Sequence, residues 1–255
     1  MKIFKISIVC LCIAFAVGFV TTAAMIIKQS MIDISINDST ANLSRNAKYR
    51  KTLKITGVPV ITQKISCGYA CIEMLSEYLE TRSSAAPPWM PVTKPETIIT
   101  EEKLLEANGG KITTSTNNGL HTEIQKQFPD YNITYHKNLK NSELIDKIYE
   151  SLSNKMPVIF SYAALKEQTE DAEKGGGTAA SPAWTLHYGV VVGMDIPGDK
   201  ITVNNPYGYT EIYTVQDFLK ATRFEKYENM EFFLKLGFAV EMFTKNTVYI
   251  FEKPE

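Results

Sequence analysis

The chain has 255 residues, of which 44% are hydrophobic and 22% charged, and its formal net charge is -1. That composition is globular, and a chain of this size buries a core without metal or disulfide staples. The near-neutral charge balance leaves no electrostatic footprint for nucleic acid.

At the N-terminus, Lys2 and Lys5 precede an uncharged, mostly apolar stretch from Ile6 to Ile27, which Lys28 closes. About 20 such residues cross a bilayer as a helix. The leading lysines favour a cytoplasmic N-terminus. Small residues from Thr21 to Ala24 also suit a cleaved signal peptide, although the stretch exceeds the usual apolar region of about 7–15 residues. Residues 1–28 are therefore expected to be a signal anchor or signal peptide. Either way the rest of the chain is sent outside the cytoplasm, membrane-anchored or secreted. Cys10 and Cys12 lie in this leader, so only Cys67 and Cys71 remain for the exported part, too few for a disulfide framework.

Residues 29–52 are polar and are expected to be a stalk or lead-in, with a weak strand pattern at Ile32, Ile34 and Ile36. The globular domain is expected over 53–255. Leu53 to Thr62 is apolar and β-branched, which predicts a short strand. Ser66 is placed to cap a helix from Cys67 to about Glu80, whose apolar face is Ala70, Cys71, Met74, Leu75 and Tyr78. The proline-rich stretch Arg82 to Pro95 is a loop. Thr100 starts a helix that Asn108–Gly109–Gly110 ends.

A second short helix is predicted over Leu120–Phe128, then a strand at Asn132–His136. A helix capped by Asn141 or Ser142 runs to about Asn154, and Pro157–Tyr162 is an apolar strand. Lys166 to Ala183 is polar and glycine-rich and reads as a mobile loop. Trp184–Met194 and Ile201–Asn205 are strand-like, joined by a turn at Ile196–Asp199. A helix at Val215–Arg223 and a strand at Asn246–Phe251 follow. Helices first and strands afterwards make an α+β fold with a mostly antiparallel sheet.

Three residues combine into a chemical reading. Cys67 sits in the first turn of its helix, where the helix N-terminus favours a thiolate. His187 lies in an apolar strand, where an imidazole needs a polar partner and can serve as a general base. Asn205 precedes Pro206, which holds it extended, and the turn at Pro197–Gly198 brings its strand back beside that of His187. Asn205 is thus placed to fix the tautomer of the histidine. Gln63, just upstream of Cys67, could donate its amide to an oxyanion. Taken singly, each has an ordinary structural reading: a packed cysteine, a satisfied core histidine, an Asn–Pro–Tyr–Gly turn.

Cys71 reads as core packing. His121 and His136 have no partners at metal-ligand spacing and read as surface or structural residues. Trp184, at the start of the His187 strand, either shields the imidazole or packs in the core. No metal or cofactor is expected.

The order and context of these residues resemble a known family. Val58–Pro59–Val60–Ile61–Thr62–Gln63 followed by Cys67–Gly68–Tyr69–Ala70 is similar to the opening of the C39-like branch of papain-like cysteine peptidases. Leu186–His187–Tyr188 paired with Asn205–Pro206–Tyr207–Gly208 is similar too, as are Thr100–Glu101–Glu102, Asn108–Gly109–Gly110, Gly119–Leu120 and Lys155–Met156–Pro157–Val158. The likeness runs from about Leu53 to Arg223. It implies a papain-like fold with Cys67 as nucleophile, His187 as base, Asn205 as orienter and Gln63 as oxyanion donor. Two departures stand out. Gln63 lies closer to the cysteine than is usual, and Asn205 stands where C39 peptidases commonly carry Asp. No transporter segment adjoins the domain, so trimming of double-glycine leaders is not expected.

The resulting expectation is an extracytoplasmic thiol peptidase or related acyl hydrolase. Its partners would be a peptide or protein substrate and, through the leader, the membrane. The alternatives are a non-catalytic membrane-anchored binding module on the same fold, or acyl transfer in place of hydrolysis.

Overall fold

The computed structural model describes residues 42–83, 97–165, 184–224 and 242–252. A 3-10 turn, Ala47–Tyr49, precedes strand β1, Leu53–Lys54. Helix α1 follows at Cys67–Ser83, α2 at Glu101–Ala107 and α3 at Asn117–Gln127. Strand β2, Asn132–His136, and helix α4, Asn141–Ser153, lead to β3, Val158–Leu165, and β4, Trp184–Asp195. Strands β5, Lys200–Asn205, and β6, Tyr209–Tyr213, precede helix α5, Val215–Thr222, and strand β7, Thr247–Glu252.

The strands form one sheet in the order β2-β7-β3-β4-β5-β6, with β1 also paired to β4, and every pairing is antiparallel. The arrangement is the expected α+β mixture. β3 and β4 read as continuous apolar runs because both of their faces are covered. Ile159, Val190 and Val192 pack with Tyr69, Ile72 and Leu75 of α1 and with Leu120 and Ile124 of α3. Phe160 and Val191 face the other way, onto Leu144, Ile145 and Ile148 of α4 and Phe218 and Leu219 of α5. The β4–β5 turn closes as expected at Ile196–Asp199. Asp199 adopts φ 52° and donates its N–H to the Ile196 carbonyl at 3.1 Å.

Several boundaries differ from expectation for local reasons. β1 holds only two residues, and pairing stops after the Ile55 N–H reaches the Val192 carbonyl at 2.7 Å. Gly57, at φ 88°, then turns the chain away, and Pro59 has no N–H to offer a ladder. α3 begins at Asn117 rather than Leu120, because the Thr116 hydroxyl caps it by accepting the Gly119 N–H at 3.0 Å. α4 is capped at Lys140, whose N–H goes to the Glu143 carboxylate at 2.9 Å, while Asn141 accepts from Asn246 instead. Strand β6 was not expected. Gly208, at φ 94°, turns the chain so sharply that it returns directly along β5.

The apolar leader, the lead-in up to residue 41, the proline-rich stretch from 84 to 96 and the loop at 166–183 lie outside the described residues. Among the described residues, no helix is long and apolar enough to cross a membrane. The packed body reaches back before Leu53. Leu43 and Tyr49 are buried in the same core cluster as Leu53. The Tyr49 hydroxyl donates to Asp146 at 2.6 Å, and Lys48 pairs with Asp146 and Glu150. A segment expected as stalk thus straps α4. Deleting residues 42–52 removes two buried side chains, each contributing about 1.5–3 kcal/mol. Urea unfolding is expected to show a loss of about 3–6 kcal/mol; an unchanged midpoint would make the segment a passive stalk.

Candidate active site

Cys67 begins α1 where the chain leaves a tightly held loop. The Ser66 hydroxyl accepts the Tyr69 N–H at 3.1 Å and caps the helix, as its position implied. Gly68 has a steric role. A Cβ there would come within 2.6 Å of the Thr114 side chain, whose hydroxyl bonds Ser66 Oγ at 3.1 Å. What approaches Gly68 closely is therefore Thr114. Cys67 keeps a partly exposed surface, whereas Cys71, one turn on, is fully buried among Ile72, Met74 and Leu75 as core packing.

A buried carboxylate holds the loop. Glu101, only 1% exposed at the start of α2, accepts the N–H of Lys64 on Oε1 at 2.8 Å. Its Oε2 accepts the N–H groups of Ile65 at 2.8 Å and Ser66 at 2.9 Å. The Glu101 N–H in turn reaches Glu73 of α1 at 2.9 Å. Three consecutive backbone donors immediately before Cys67 thus converge on one side chain. A buried donor stripped of its acceptor costs about 1–3 kcal/mol, so this carboxylate sets the path of the chain from Gln63 to Cys67. In the sequence Glu101 reads as part of a helix start and of the family-like Thr100–Glu101–Glu102 segment, with no sign of this role.

His187 and Asn205 come together. His187 Nε2 lies 2.9 Å from Asn205 Oδ1, with the imidazole 2% exposed and Asn205 fully buried. The same oxygen accepts the Tyr207 N–H at 2.8 Å. A backbone N–H can only donate, so this atom must be the amide oxygen and not the nitrogen. His187 Nε2 must therefore be the donor to it. The neutral ring then carries its proton on Nε2 and an open lone pair on Nδ1. Tyr207 also stacks its ring on the imidazole, centroids 4.3 Å apart at 18°, and Tyr162 packs on it at 5.5 Å. Asn205 Nδ2 is buried with no hydrogen-bond partner among the described residues, so among these the amide is held by its oxygen.

Gln63 is drawn to the same place. Its N–H donates to the Pro206 carbonyl at 2.7 Å, and Thr62 bridges Tyr207. This short pairing sets Gln63 beside Asn205 despite the small spacing from Cys67. Gln63 Oε1 is buried without a partner among the described residues. An amide with its oxygen turned inward directs its Nε2 end the other way.

Cys67 lies against the strand that carries His187. Burial pushes its thiol up to about 11, against the opposing pull of backbone N–H groups of Tyr188, Gly68 and Cys67 itself. The N–H of Tyr188 places the sulfur next to the residue following His187. Sequence reasoning had the helix N-terminus lowering this thiol; desolvation wins. Burial lowers His187 to about 4, and its bond to Asn205 opposes that only in part. At neutral pH both groups are uncharged.

His121 and His136 stay apart from this cluster. His121 Nε2 lies 3.4 Å from the Ile133 carbonyl, and its ring packs on Tyr135. His136 sits on β2 opposite Val248. Trp184 pairs with Leu165 in the sheet register.

The depressed histidine makes a stability prediction. Below an ordinary value near 6.5 the unfolded chain takes up a proton that folded His187 refuses until about pH 4. Stability is therefore complete above 6.5 and lost as pH falls from 6.5 to 4, by about 3 kcal/mol at about 1.4 kcal/mol per unit. Urea unfolding of His187→Gln is expected to lack this part of the acid dependence. Identical pH slopes for the two proteins would show that the imidazole is solvated. A second prediction concerns Asn205→Asp. A carboxylate beside the ring favours imidazolium, so the histidine pKa measured by NMR is expected to rise by about one to three units; no rise would mean that Asn205 does not face the ring.

Comparison with protein-family models matches residues 55–233 to the one described as Peptidase_C39 like family. No curated protein matches the chain. The match covers the loop held by Glu101, Cys67, and the strands bearing His187 and Asn205, and on that extent the chain belongs to the peptidase C39-like family.

Proposed function

We propose that this protein is a thiol peptidase, or a closely related acyl hydrolase, acting on a peptide or amide bond through Cys67, His187 and Asn205. The observation that carries the reading is the chain of bonds from Tyr207 N–H and His187 Nε2–H to Asn205 Oδ1, which leaves Nδ1 as the basic nitrogen. In the first step the Cys67 sulfur attacks the carbonyl carbon while its proton passes to Nδ1. The carbonyl oxygen becomes an oxyanion, to which Gln63 Nε2 donates. Collapse breaks the C–N bond, and Nδ1 returns the proton to the leaving amine. Water, activated by the same nitrogen, then hydrolyses the thioester and restores the thiol. The apolar leader supports placing this activity outside the cytoplasm, tethered to a membrane or secreted.

One observation favours a second reading. With the thiol near 11 and the imidazole near 4, no thiolate–imidazolium pair is stored in the unliganded site. A binding module that kept the fold and lost turnover would look the same at rest. In the catalytic reading, proton transfer accompanies attack, and substrate binding replaces the water that a charged pair would need.

The full chain is to be assayed on a mixture of internally quenched peptides. The catalytic reading expects hydrolysis that vanishes in Cys67→Ala. It expects His187→Ala to slow the rate by about 10²–10⁴ and Gln63→Ala by about 10²–10³. It also expects kcat/KM to fall as pH drops through about 4, where His187 takes its proton. No turnover of any peptide by the folded protein would favour the binding module.

A further inference from the structure

The sheet face that carries His187 also carries a carboxylate with no cation beside it among the described residues. Residues opposite one another in an antiparallel pair point to the same face. Tyr162 lies opposite His187, Val191 opposite Val203, Val203 opposite Glu211, and Asn205 opposite Tyr209. With the alternation along each strand, this puts His187, Asn205, Glu211, Tyr209 and Tyr213 on one side. Glu211 Oε2 accepts the Tyr213 hydroxyl at 2.7 Å and the Tyr162 hydroxyl at 3.3 Å. Burial first, then the Glu211 charge, raises both phenols, so they stay protonated and keep donating. Both hydrogen bonds use Oε2, and Oε1 accepts none among the described residues. Glu211 makes no ion pair among the described residues.

A half-buried charge without a counterion is costly, and its attraction for a cation is stronger than in open water. Nothing in its bonding requires an acid here, since a neutral acceptor would serve the two phenols. Tyr162 joins this carboxylate to the reacting set, for its ring packs on the His187 imidazole while its hydroxyl reaches Glu211. Tyr213, whose hydroxyl donates to Glu211, places an aromatic ring beside the carboxylate. Glu211 thus lies one aromatic side chain away from the imidazole, with Tyr162 spanning the gap.

We propose that Glu211 is the anionic floor of a specificity subsite that takes a lysine or arginine side chain of the substrate peptide. The inference rests on the reading of Cys67, His187 and Asn205 as the reacting set, and its test is independent of turnover. The full-length Cys67→Ala protein is titrated with N-acetyl-arginine amide, N-acetyl-lysine amide and the neutral N-acetyl-norleucine amide, followed by NMR. The cationic amides are expected to bind about tenfold or more tightly than the neutral one. Adding Glu211→Gln is expected to erase that difference, and Glu211→Asp, which keeps the charge, to retain much of it. Equal affinity for all three amides, binding of none, or a preference that survives Glu211→Gln overturns the proposal. Since a protein unable to cleave is being titrated, these outcomes leave the hydrolysis reading standing, and absence of hydrolysis leaves a measured preference standing.

Discussion

One oxygen atom governs the proton arrangement of this site. Asn205 Oδ1 takes two N–H bonds, one from the backbone of Tyr207 and one from His187. The backbone bond removes the ambiguity of the amide, and the amide then removes the ambiguity of the imidazole. The ring is left with a lone pair on Nδ1. A hairpin makes this possible: Pro206 and Gly208 turn the chain so that Tyr207 folds back onto the residue two before it and lays its ring on the imidazole. The same hairpin takes the Gln63 N–H, so one turn orients the imidazole proposed as base and positions the amide proposed for the oxyanion.

Burial is the second constraint, and it acts against the first. The imidazole is covered by Tyr207 and Tyr162, and the thiol lies under the helix start. Both are therefore held neutral, although three N–H groups and a helix N-terminus favour a thiolate. Desolvation at this half-buried cysteine outweighs partial charges of that size. Glu101 adds to the effect, for its charge disfavours a thiolate nearby while its oxygens hold the preceding loop. Positional order and ready ionisation are thus in competition, and the structure favours order.

Much of the framework was readable from the residues. Apolar runs at β3 and β4, the turn between β4 and β5, and the serine cap before Cys67 are local signals, and each element formed where its signal lay. The meeting of His187 with Asn205 followed from that turn. What escaped depended on distant partners. Glu101 and Glu102 are neighbours of the same type, yet one is buried under three amides and the other pairs with Lys64 at the surface. Nothing local tells them apart. Likewise α4 is capped at Lys140 because Asn141 is claimed by Asn246, more than a hundred residues away in the chain. β6 went unseen because its pairing depends on a single glycine turn. The raised thiol was missed since a helix position is visible in a sequence and burial of one sulfur atom is not.

The tautomer of His187 tests the central claim most directly, because it depends on the Asn205 bond and on nothing about the substrate. In ring-labelled protein at neutral pH, nitrogen NMR reports the protonation of Nδ1 and Nε2 separately. The proton is expected on Nε2, with Nδ1 bare, and the ring is expected to stay neutral until about pH 4. A proton on Nδ1, or a ring already cationic at neutral pH, would contradict the account.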